Sequence, residues 1–192
     1  AVNYSYDNRY LADLSYRLSG SSIYGSDNRW GGFWSAGVGW NLHHEAFLKE
    51  AEWLRQFKLR ASVGYTGSQN FNPYQAMATY KYFTDAEYDN IVGAYLMGMA
   101  NDKLKWQQTR DVNVGFDVQL LKGMTVRFDY YVSNTDNLLV DFDLSGSTGF
   151  NTFKENLGEV QNRGFDATIN WRVYENTKND AYVTLFGSVS SN

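Results

Sequence analysis

The chain has 192 residues, a net charge of −4, one Pro and no Cys, with 43% apolar and 17% aromatic residues. It contains no run of about eighteen apolar residues, so a membrane-spanning helix is excluded. The lack of Cys removes disulfide frameworks and thiol catalysis, and no basic patch points to nucleic acid.

Ala1-Val2-Asn3-Tyr4 has neither the charged nor the apolar region of a signal peptide, so the expectation is a mature or partial chain. Pairing begins near Tyr4. Tyr10, Ala12, Leu14, Tyr16 and Leu18 then alternate with Leu11, Asp13, Ser15, Arg17 and Ser19, the period-two signature of a strand with one apolar face. A Gly/Ser-rich connection over 19–32 leads to a second strand, in which Trp34, Ala36, Val38, Trp40 and Leu42 share a face. His43 to Gln56 changes period, and the spacing of Phe47, Leu48, Ala51 and Leu54 predicts a short amphipathic helix. Alternation returns with Phe57, Leu59, Ala61, Val63 and Tyr65. Gly67 to Lys105 has no sustained period and reads as a long loop.

The clearest signal spans Thr109 to Ser133. Val112, Val114, Phe116, Val118 and Leu120 occupy one face of a first run, and Asp111, Asn113, Gly115, Asp117 and Gln119 the other. After Leu121-Lys122-Gly123, Met124, Val126, Phe128, Tyr130 and Val132 alternate with Thr125, Arg127, Asp129, Tyr131 and Ser133. Two such runs joined by a three-residue turn form an antiparallel hairpin. Each is as long as a tilted strand crossing a bilayer, about nine to eleven residues, whereas soluble strands average about five or six. A second irregular stretch covers 134–162. Phe165, Ala167, Ile169, Trp171 and Val173 then mark a strand, followed by a polar turn at 175–180. In the last run, Ala181 to Ser190, Tyr182 and Phe186 sit on the side that should be polar.

Long connections thus alternate with short ones, as in outer-membrane barrels with long outer loops and short periplasmic turns. Trp40, Trp171 and Tyr174 fall near the short-turn ends, where interfacial aromatics belong. Trp106, at a loop-to-strand junction, reads as a further interfacial anchor. The fold class is therefore all-β: an antiparallel transmembrane β-barrel segment of about seven strands of a larger wall. Its rival is a soluble β-sandwich, which would also alternate.

Several segments together resemble the SusC-like family of TonB-dependent outer-membrane transporters. They are Ser19-Gly20-Ser21-Ser22, Asn28-Arg29-Trp30-Gly31, Phe33-Trp34-Ser35, Leu59 to Gly67, Leu104 to Thr109, Ser147-Thr148-Gly149-Phe150 and Asn156 to Phe165, in the family's order. Ser19, Trp34, Asp102 and Gln107 depart from its pattern and mark a divergent branch. The resemblance implies a plugged barrel of about 22 strands, of which residues 1–192 are the C-terminal part without the plug domain and final strands. It further implies a Gram-negative outer membrane and TonB-driven import of a large nutrient, an oligosaccharide for preference. A SusD-like surface lipoprotein would be the lid, and the TonB complex a partner reached through the absent N-terminal region. A peptide importer of the same family, a passive porin and a structural or adhesin barrel are the alternatives.

No catalytic group, metal or cofactor is expected. His43 and His44 are adjacent in a connection; on a strand they would diverge, and they read as polar turn residues. Asp85, Glu87, Asp89 and Asn90 do not meet the calcium-loop pattern. Candidate contacts to ligand or lid are Tyr80, Tyr82, Phe83, Tyr88 and Tyr95, because aromatic faces suit sugar rings and peptides. Their structural alternative is loop packing. Asp111, Asn113, Asp117, Arg127 and Asp129 should face the lumen.

Overall fold

A computed structural model describes residues 1–22, 24, 26–68, 76–120, 123–176 and 181–192. Twelve strands follow in order: β1 (Val2–Tyr6), β2 (Tyr10–Gly20), β3 (Trp30–Asn41), β4 (Leu54–Ser68), β5 (Thr79–Tyr88), β6 (Ile91–Gly98), β7 (Gln107–Leu120), β8 (Met124–Asp136), β9 (Leu139–Asp143), β10 (Thr152–Asn156), β11 (Glu159–Asn176) and β12 (Ala181–Ser191). Eight of them form one antiparallel meander, β1-β2-β3-β4-β7-β8-β11-β12. β1 and β12 are its edges, and the sheet is open. Apart from the five-residue β1, its strands run from 11 to 18 residues, long enough to cross a bilayer.

Register turns the alternation of single strands into continuous faces. Val114 lies opposite Ala61 on one side and Tyr130 on the other, and Phe116 opposite Leu59 and Phe128. The row extends through Val38 opposite Ala61 and Ala12 opposite Val38. On the far side Phe128 stacks on Phe116 at 5.5 Å and on Phe165 at 6.2 Å. Nothing among the described residues covers this face: Val114 is 52% exposed and Leu14 54%. A sandwich would bury that face under a second sheet. A barrel wall leaves it for lipid.

The long connections are more ordered than their composition suggests. Within 67–105 the chain forms the β5–β6 hairpin, and within 134–162 the β9–β10 hairpin, each a separate two-stranded sheet. The β5–β6 turn is Asp89-Asn90, both with positive φ (53° and 60°). Asp and Asn tolerate the left-handed region, so this pair closes a two-residue hairpin loop. Asp7 and Asn8 also have positive φ (48° and 52°), in the three-residue connection that ends at Arg9 between β1 and β2.

The predicted helix over 43–56 is absent. A 3₁₀ turn at Leu42–His44 is followed by turns closed mainly by i→i−3 bonds, such as Leu48 N–H to Glu45 O and Leu54 N–H to Ala51 O. An isolated two-turn helix needs a packed stripe to persist, and here Phe47 and Trp53 stay exposed. The two histidines lie in this 3₁₀ turn, as polar turn residues rather than on a strand. Their rings pack with centroids 4.1 Å apart, and His43 Nδ1 meets the Phe57 backbone at the start of β4. A further departure is a bulge between Arg172 and Tyr174, which puts Tyr174 rather than Val173 opposite Val183.

Candidate functional site

The face opposite the apolar one carries the ionisable groups. Asp111, Asn113, Asp117, Arg127 and Asp129 all lie on it, because Asp111 pairs with Ser133, Asn113 with Tyr131, and Asp117 with Arg127. Their organiser is Arg60 on β4. Its Nε lies 2.9 Å from Asp117 Oδ2, and its Nη2 donates to Asp129 at 3.0 and 3.1 Å. Arg127 Nε donates to the other oxygen of Asp117 at 2.8 Å. Two cations and two anions thus neutralise one another across three strands.

Gly115 makes the crossing available. It sits between Arg60 and Asp129 in the same row, and a Cβ there would collide with the Asp129 carboxylate and lie 2.5 Å from the Phe128 carbonyl. Two rows along the same face, Ser133 Oγ donates to Asp111 at 2.6 Å. Asn113 stands between them, opposite Ser62 and Tyr131. The alternation of β4 places Arg60 on the polar side, but only the register reveals that it reaches β8.

At the hairpin end of the sheet lies the one cluster of buried apolar side chains among the described residues. Tyr24, Phe33, Ala76, Leu104 and Trp106 form it, with Leu139 packed against it. Trp106 stacks on Tyr24 at a centroid distance of 4.1 Å and meets Phe33 edge-on at 5.4 Å. It is only 4% exposed, so it anchors the connections to one another and is no interfacial belt residue. Phe33 lies across β4 where a Cβ at Gly67 would collide with its ring. Tyr24 Oη donates to the Ser68 carbonyl at 2.9 Å, and burial pushes its phenol up to about 12.

Asparagines complete the joint. Asn101 Nδ2 donates to the Lys154 carbonyl at 2.7 Å, and Lys105 N–H donates to Asn156 Oδ1 at 2.7 Å. Asn156 Nδ2 also donates to the carbonyls of Lys105 and Asn137, at 3.0 and 2.9 Å. The segment after β6 is therefore bonded to β10, and the two hairpins rise from a common base.

The five candidate aromatics do not form one surface. Phe83 and Tyr95 pack together with centroids 5.2 Å apart. Tyr80 and Tyr82 lie on the opposite face of the hairpin, aligned with Leu96 and Ala94 and about two-thirds exposed. Tyr88 pairs with Ile91 at the tip, and its side chain lies outside the described residues.

At the short-turn end the aromatics find polar partners. Trp40 Nε1 and Tyr10 Oη both donate to Glu45 Oε1 at 3.0 Å, and Arg9 lies 3.7 Å from Oε2. These hydrogen bonds, with the Arg9 charge behind them, hold the Glu45 carboxyl below its ordinary value. An apolar ring with a bonded polar tip is the arrangement expected where hydrocarbon meets water.

The family described as TonB dependent receptor-like, beta-barrel matches residues 1–191. TonB-dependent receptor P3 of Formosa agariphila is 34% identical over 173 residues, 89% of this chain and 17% of its own length. TonB-dependent receptor SusC of Bacteroides thetaiotaomicron is 36% identical over 177 residues, 88% of this chain and 18% of its own length. The structure resembles that of the RagAB peptide importer in its open-open state, with a TM-score of 0.88 and 26% identity, over 98% of this chain and 20% of that one. This chain therefore spans less than a fifth of the length of these curated relatives.

Proposed function

From the premise that this chain belongs to the TonB dependent receptor-like β-barrel family, we propose that it is a wall segment of an outer-membrane transporter importing a large nutrient with TonB-derived energy. The observation that carries the reading is the division of one continuous sheet. One face is apolar and uncovered, for lipid, and the other holds a neutralised ionic network, for a wet interior. In this reading Asp111, Asn113, Asp117, Arg127 and Asp129 face the lumen. The β5–β6 and β9–β10 hairpins stand on the outer side, and Glu45 lies on the periplasmic side. A SusD-like surface lipoprotein covers the hairpins, and the TonB complex acts through a plug outside this chain.

An oligosaccharide is the first substrate class, in keeping with the SusC-like pattern. A peptide is the second, and the likeness to a peptide importer supports it. The test is uptake of labelled oligosaccharide and labelled peptide by cells carrying the full-length protein with residues 80–95 removed. Uptake of one pool should fall while heat-modifiable electrophoretic mobility shows an intact barrel. Tyr82→Ala should give a weaker defect in the same pool. Unchanged uptake of both pools would refute a role for this hairpin in capture.

A further inference from the structure

Among the described residues, the polar face holds a cavity that the ionic network does not use. It lies beneath the aromatic joint, has a volume of about 710 Å³, and is lined by Arg17 and Ser19 of β2, Phe33 of β3, Thr66 and Gly67 of β4, and Trp106. Arg17 is the only charged residue in that lining. Unlike Arg60 and Arg127, whose charges are met by Asp117 and Asp129, Arg17 has no carboxylate partner among the described residues. Its neighbour across the strands is Phe33, its flanking residues on β2 along the same face are Ser15 and Ser19, and Ser15 bonds instead to Ser35. An exposed guanidinium beside two hydroxyls and two aromatic rings, with no acid in the wall, is complementary to a planar anion carried on an apolar or ring-bearing molecule.

We infer that this cavity is a carboxylate-binding subsite, with Arg17 as the anion ligand, Ser19 and Thr66 as hydroxyl donors, and Phe33 and Trp106 as the wall beside the rest of the molecule. The inference deepens the import reading and rests on it, since it assigns acidic members of either substrate class to this barrel: a uronic-acid oligosaccharide or a peptide with a free carboxylate. The joint gives the site a fixed roof. Trp106 is held by Tyr24 and Phe33, so the aromatic wall is in place before anything binds.

Equilibrium binding to the full-length protein purified in detergent tests this, independently of energised uptake. The probes are tetragalacturonate against its methyl ester, and a fluorescent tetrapeptide against its C-terminal amide. At least one acid should bind more tightly than its neutral form, and the pair that discriminates identifies the source of the carboxylate. Arg17→Gln should remove that preference, weakening the acid by about tenfold to a hundredfold, as for other hydrogen bonds to charged groups. Arg17→Lys, which keeps the charge and loses the planar fork, should fall between. Equal binding of acid and neutral forms, binding of none, or a preference that survives Arg17→Gln in a protein with normal heat-modifiable mobility would overturn the subsite. Uptake could persist in each of those cases, so the import reading stands or falls by its own test.

Discussion

Replacing Gly115 with Ala tests whether the ionic network depends on a missing side chain. The new Cβ would meet two obstacles, the Asp129 carboxylate and the Phe128 carbonyl 2.5 Å away. Asp129 can swing, but only by leaving Arg60, to which it is bound through both oxygens. The carbonyl belongs to the β7–β8 ladder and can yield only with its strand. Overpacking of this kind costs about 1–3 kcal/mol, and the backbone collision puts Gly115→Ala toward the upper part of that range. The assay is the midpoint of heat-induced mobility change in the full-length protein. Gly115→Ala is measured alone, in an Asp129→Ala background, and beside Asp129→Ala itself. Coupling within this cycle isolates the side-chain collision. The cost of the methyl should shrink without vanishing once the carboxylate is gone. A midpoint unmoved by Gly115→Ala, or an identical loss with and without Asp129, would refute the argument that Gly115 opens the path from Arg60 to β8.

The facing of the wall yields a sharper contrast between neighbours. Val114→Arg should hinder assembly, at about 2–4 kcal/mol for a cation on a mid-membrane lipid face, while Asn113→Arg should be tolerated; equal folding yields in outer-membrane fractions would contradict the register. Acid should loosen the short-turn cap. Because the folded state holds the Glu45 carboxyl below its ordinary value, its stabilisation is complete above the unfolded carboxylate range and is lost as pH falls through the lowered folded value. The native protein should therefore exceed Glu45→Gln in heat-modified midpoint near neutral pH and converge with it in acid, whereas a constant gap would rule out titration of Glu45 as the cause.

The wall was legible because period two is a strong local signal. From Val112 to Val132 the phase assigned in the sequence is the phase found in the sheet. Hairpins inside the long connections were not legible, since β5 has aromatics on both faces, Tyr80 and Tyr82 on one and Phe83 on the other, and its register shifts twice. A strand with no single apolar side gives no clean period-two signal. The turn pairs Asp7-Asn8 and Asp89-Asn90 were the available clue. Trp106 departs from the interfacial expectation for a related reason. Position at a strand end is common to belt anchors and loop cores, and only the partners Tyr24 and Phe33, 82 and 73 residues away by numbering, decide between them. Asp117, Arg127 and Asp129 were assigned to a shared face, yet their binding together depends on Arg60, from a strand separated by a 38-residue connection in sequence (residues 69–106).

The meander order has a consequence for how such a protein can vary. β4 pairs directly with β7 and β8 with β11, so each hairpin is an excursion that leaves the wall and returns to the neighbouring place. Exchange of an excursion leaves every ladder of the wall in register. Yet Asn101 and Asn156 bond the base of one to the base of the other. The two are thus coupled as one cassette: replacing both hairpins together keeps the wall ladders and their shared base, whereas replacing one alone leaves the Asn101 and Asn156 bonds without partners.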